Sequence, residues 1–103
     1  MAERSAFVLR VRPEKVEEYV AAHRDVWPEM LAALRDAGVR NYTIFRSGNE
    51  MFGYFESDDL EAVGAHMAAQ AVNARWQDAM AELLEERVPD GGPPALEEVF
   101  RLD

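Results

Sequence analysis

Residues 39–56, VRNYTIFRSGNEMFGYFE, decide the fold. In residues 39–46, Tyr42, Ile44 and Arg46 alternate with Asn41, Thr43 and Phe45, the period of an extended strand. Residues 47–50 (SGNE) hold the small and polar types that favour tight turns, and residues 51–56 (MFGYFE) repeat the strand composition. Together they predict an antiparallel hairpin. Gly53, in the middle of its second arm, marks either a close approach of a ligand or another chain to the backbone, or a bulge.

Upstream, residues 5–12 (SAFVLRVR) form a further strand, with Phe7, Leu9 and Val11 on one face and Ala6 and Val8 on the other. A strand apolar on both sides needs two covers. Pro13 suits the first turn of a helix, and Glu14, Glu17 and Glu18 complement its positive end. The helical pattern continues through Val16, Val20, Met30, Leu31 and Leu34 to a glycine stop at Gly38. Pro28 lies inside it, so a kink or short break is expected over residues 25–28, turning His23 and Trp27 toward a cleft.

Downstream, residues 57–59 (SDD) supply an N-cap, and one helical region follows with Leu60, Val63, Met67, Val72, Trp76, Met80, Leu83 and Leu84 on its apolar side. A Pro/Gly loop spans residues 89–94, and residues 96–102 (LEEVFRL) read as a fourth strand. The order is βαββαβ. This is the α+β, split βαβ or ferredoxin-like plan: an antiparallel sheet with both helices on one face, in a single domain over residues 1–103. The uncovered face implies a homodimer of the α/β-barrel type, in which the last strand is able to cross to the partner.

Composition narrows the chemistry. Eleven basic against 20 acidic residues, a net charge of −9, disfavour nucleic acid and anionic membranes as partners. No run is long and apolar enough for a signal peptide or a membrane span, so a soluble cytoplasmic protein is expected. With no cysteine there is neither disulfide nor thiolate site. The two histidines, His23 and His66, are far apart and outside any metal-binding motif, so no metal site is expected. The chain carries no phosphate-binding glycine loop and no nucleophile elbow.

What remains is Tyr19 and His23, four residues apart and therefore on one helical strip, with Trp27, Tyr42 and Trp76 as further aromatic candidates. Rings beside hydrogen-bonding groups suit a sugar, which has an apolar C–H face and a rim of hydroxyls. Each is also a plausible core residue: Val72, Trp76 and Met80 lie one helical turn apart, and a packed tyrosine needs only a satisfied hydroxyl.

Residues 6–8 (AFV), Glu18-Tyr19, His23, Trp27-Pro28-Glu29, Asn41-Tyr42, Arg75-Trp76 and Glu98-Val99-Phe100 resemble, in order and across the whole chain, the L-rhamnose mutarotase family. That resemblance implies a ferredoxin-like dimer formed by sheet packing with strand exchange and using no cofactor. The implied activity is aldose 1-epimerase: interconversion of the α and β anomers of L-rhamnose or a related 6-deoxy-hexose. By position His23 resembles the family's proton donor, and Tyr19, Tyr42 and Trp76 its sugar-contacting residues. Where the family often has a second tryptophan this chain has Gln77, an expected substrate contact that puts the identity of the sugar in question. Glu29 is a candidate complementary base. Two other readings stand beside this one: a cofactor-independent monooxygenase or cyclase of the same dimeric architecture, and a sugar-binding protein without catalysis.

Overall fold

The computed structural model describes residues 2–103. The hairpin forms as expected from Arg40–Ser47 (β2) and Glu50–Ser57 (β3), and Glu3–Arg10 (β1) pairs antiparallel with the far side of β3. The sheet order is therefore β1-β3-β2, with Phe7 facing Gly53 and Leu9 facing Met51 across one pair, and Phe45 facing Phe52 across the other. Gly53 serves neither a ligand nor a bulge. A Cβ there would collide with the Phe7 ring, which fills the space the side chain would take.

The first helical region breaks where proline dictates. A 3-10 turn at Pro13–Lys15 leads into Val16–Arg24 (α1), and Pro28–Asp36 (α2) restarts after three non-helical residues. Trp27 has φ −54° and ψ 132°, the extended geometry that a following proline imposes, and its carbonyl accepts the first bonds of α2 from Met30 and Leu31. α2 stops at Gly38, whose φ of 92° is open to glycine at little cost.

The second helical region is also two helices, Leu60–Ala68 (α3) and Ala71–Ala81 (α4), where one was expected. Asp59 caps α3 by accepting from the Ala62 N–H at 3.1 Å. The break falls at Ala69 and Gln70, both good helix formers, so its cause is tertiary. The Asn73 side chain donates to the Met67 carbonyl at 3.1 Å, which also accepts the Gln70 backbone N–H at 3.1 Å. All four helices pack on one face of the sheet, and Tyr19, Met30, Val63, Met67, Trp76 and Met80 meet Met51 and Val11 in one core.

The fourth strand does not form. Residues 96–102 have no regular structure, and among the described residues one backbone bond, Leu96 N–H to the Ala6 carbonyl at 2.7 Å, ties the tail to the free edge of β1. An Arg4–Glu98 ion pair adds a second tie. Strand pairing is stabilised by side chains packing on a shared face. Val99 is 86 % exposed and Phe100 79 %, so the single chain offers the tail no such face.

Candidate active site

α1, α2, α4 and the inner face of β2 and β3 enclose a cavity of about 580 Å³. Five residues singled out from the sequence line it: Tyr19 and His23 from α1, Tyr42 from β2, and Trp76 and Gln77 from α4. The four-residue spacing stacks Tyr19 and His23 with ring centroids 4.1 Å apart. Trp76 closes the group, its ring 5.4 Å from His23 and nearly perpendicular to it. Trp27 stays outside the cavity and supports Trp76 edge-on at 5.1 Å. Glu29 does not line the cavity; its carboxylate pairs with Arg75 at 3.2 Å on the surface.

Tyr42 owes its place to a flaw in the ladder. The β2–β3 register shifts between Arg40 and Thr43, and Asn41 takes a φ of 52° there. Such a bulge bends the strand and re-aims the next side chain. Tyr42 then packs on Phe55 at 5.4 Å and against the edge of Phe7 at 6.2 Å.

His23 is held in one tautomeric role. Its Nδ1 lies 2.8 Å from the Tyr19 carbonyl, which can only accept, so Nδ1 carries the proton. In the neutral ring Nε2 is therefore the free base. Burial lowers the His23 pKa below its ordinary value, partly opposed by that hydrogen bond. Burial pushes the Tyr19 phenol up to about 12 and raises Tyr42 too, where a charged Tyr19 would add repulsion. Both tyrosines thus remain neutral phenols at working pH, able to donate and to accept.

Among the described residues no buried side-chain nitrogen or oxygen lacks a partner. The unbonded Tyr19 hydroxyl, His23 Nε2 and Trp76 Nε1 must therefore reach open space, and the cavity they line provides it. Sequence reasoning did not single out Arg24, which also lines the cavity, nor the part of Met30 and Leu31, read as core, in its apolar wall. Arg46 lines it as well, as its alternation with Tyr42 on β2 allowed. Among the described residues, no acidic side chain lines the cavity; its charged members are the two arginines. Nor do three His, Cys, Asp or Glu side chains gather anywhere among the described residues as a metal site requires.

A family model described as L-rhamnose mutarotase matches residues 4–102. The chain belongs to the L-rhamnose mutarotase family. An L-rhamnose mutarotase of Oceanobacillus iheyensis is 36 % identical over 103 residues, covering 97 % of this chain and 98 % of that protein. One from Bacillus subtilis is 39 % identical over 104 residues, with the same coverages of 97 % and 98 %. The crystal structure of an L-rhamnose mutarotase from Formosa agariphila matches with a TM-score of 0.77 at 32 % identity, covering 98 % of this chain and 99 % of that one. In this member of the L-rhamnose mutarotase family, the residues that carried the sequence resemblance at Tyr19, His23, Tyr42 and Trp76 are the ones gathered around the cavity.

Proposed function

We propose that the chain is an aldose mutarotase, acting on L-rhamnose or a closely related 6-deoxy-hexose, with His23 as the proton-carrying residue. The observation that carries the reading is the fixed His23 ring: Nδ1 is tied to the Tyr19 carbonyl at 2.8 Å, and Nε2 is left unbonded beside the phenols and the indole. Mutarotation moves one proton between two oxygens attached to the same carbon. Nε2 takes the proton of the anomeric hydroxyl while C1–O5 breaks and the C1–O1 bond becomes a carbonyl. The imidazolium gives the proton to the released O5, the C1–C2 bond rotates, and closure on the opposite face reverses the transfers. A group titrating near working pH serves both directions.

The other cavity groups divide the binding. Trp76 offers an apolar face for the sugar's C–H groups and an N–H for an oxygen. Tyr19 and Tyr42 contact hydroxyls as neutral phenols, and Gln77 adds an amide. The working unit is a homodimer in which a second copy covers the outer sheet face. In support, Phe45 on that face is 67 % exposed, and Val99, Phe100 and Leu102 of the tail, which is tied to β1, are exposed as well. A chain without cysteine suits a reducing cytoplasm.

Exchange NMR on equilibrated L-rhamnose tests the reading. Added protein is expected to speed saturation transfer between the two anomeric proton signals. A protein that binds the sugar without speeding exchange is a sugar-binding protein, and the catalytic reading then fails.

A further inference from the structure

Asn73, in the first turn of α4, is 2 % exposed and does not line the cavity. Its side-chain amide is nevertheless fully engaged. Nδ2 donates to two main-chain carbonyls, Met67 at 3.1 Å and Asp90 at 2.9 Å. An amide has two N–H donors and one carbonyl oxygen, so with both donors used Oδ1 can only accept. The flipped orientation would press Oδ1 against two carbonyl oxygens and leave acceptors without a donor in a buried site. The packing of the loop on α3, where the Gly91 carbonyl would lie 3.2 Å from a Cβ on Gly64, keeps Asp90 in place.

Oδ1 finds its donor one turn along α4, in Gln77 Nε2 at 3.1 Å. That bond settles the Gln77 amide as well. Its nitrogen is turned toward Asn73, and among the described residues Oε1 receives no donor. Gln77 is half-buried and lines the cavity, where Arg24, Arg46 and Trp76 Nε1 can only donate. A fixed carbonyl acceptor is scarce in that wall, and a sugar hydroxyl is a donor in search of one.

We propose that Asn73 is a positioning residue that holds the Gln77 side chain with Oε1 toward the cavity, where it accepts a hydrogen bond from one particular sugar hydroxyl and so sets specificity. The proposal rests on the aldose reading above. It makes α3, the loop after α4 and the sugar wall one connected set of hydrogen bonds.

The test measures KM and kcat by exchange NMR for L-rhamnose and its 2-, 3- and 4-deoxy derivatives, with the wild type, Gln77→Met and Asn73→Ala. In the wild type one deoxy sugar is expected to have KM raised roughly five- to tenfold over the parent, with kcat little changed, as loss of one hydrogen bond predicts. In Gln77→Met that gap closes, because the parent falls to the level of the deoxy sugar. Asn73→Ala closes it too, with the pH profile of kcat unmoved. Deoxy penalties identical in the wild type and Gln77→Met overturn the proposal. If Asn73→Ala does not fold, the side-chain amide protons of Gln77 in wild-type ¹⁵N spectra decide the positioning role. Slow exchange and shifts away from free glutamine support it, and free-glutamine shifts overturn it. A wild type that turns over none of these sugars overturns the catalytic reading and the hydroxyl contact with it, while the amide signals still decide whether Asn73 holds Gln77.

Discussion

The two faces of the sheet both carry large apolar side chains, but in different environments. On the inner face Phe7, Val11 and Met51 are at most 2 % exposed beneath the helices, and Met51 also lines the cavity. On the outer face the cross-strand pair Phe45 and Phe52 is left open at 67 % and 39 %. Alternating apolar residues therefore specify a strand without specifying its cover. The chain supplies one layer of helices, and that layer builds both the core and the site. The same side chains that stabilise the inner face, Tyr19 and Trp76 among them, also line the cavity, so fold and function are least separable there.

The most severe break in the inner face is His23→Ala. It should lower kcat by roughly 10²–10⁴-fold while leaving the far-ultraviolet circular dichroism unchanged, since general acid–base transfer is worth about that much. The pH profile sharpens the point. Because burial lowers the His23 pKa, Nε2 is free at neutrality, and kcat/KM should fall only as pH drops below the ordinary histidine value of about 6.5. The same sign holds for stability: the unfolded chain takes up the His23 proton first on acidification, so this contribution is present above that pH and is lost as pH falls through the folded pKa.

Trp76→Ala follows, with an expected loss of about 3–5 kcal/mol in urea unfolding, because it removes a large ring shared by the core and the sugar wall. Gly53→Ala should lose about 1–3 kcal/mol, since the new Cβ competes with the buried Phe7 ring. Smallest is the outer face. Phe45→Ser should change the stability of a single chain by no more than about 0.5 kcal/mol at a site this exposed. If the proposed homodimer uses this face, Phe45→Ser should shift sedimentation from dimer toward monomer; an unshifted dimer would place the interface elsewhere.

How much of this was legible follows from where each constraint resides. The hairpin, the β1 alternation, the break at Pro28 and the stop at Gly38 are local, and each was readable from residue types a few positions apart. The Tyr19/His23 pair is local in the same way. The division of α3 from α4 is not, since Ala69 and Gln70 carry no breaking signal and Asn73 acts through a carbonyl six residues back. The expected fourth strand over residues 96–102 is absent: alternation alone does not make a strand where the chain offers no side-chain face to pair with, and the tail stays irregular. The Asn41 bulge that aims Tyr42 depends on three-dimensional partners and leaves no trace in spacing; the Asn73–Gln77 bond has the i,i+4 spacing of a helical pair, but the Asp90 carbonyl that fixes the Asn73 amide comes from a loop 17 residues away.

The charges of the cavity have a consequence for traffic into it. The chain carries a net charge of −9, yet the charged side chains lining the cavity are Arg24 and Arg46. An uncharged sugar feels no long-range field, so its arrival rate should be indifferent to ionic strength. A phosphorylated aldose is repelled at a distance, over a screening length of about 10 Å at 0.1 M salt, before any attraction at the mouth is felt. Among metabolites of similar shape, the outer surface thus thins out the phosphorylated ones before the walls of the cavity are asked to choose.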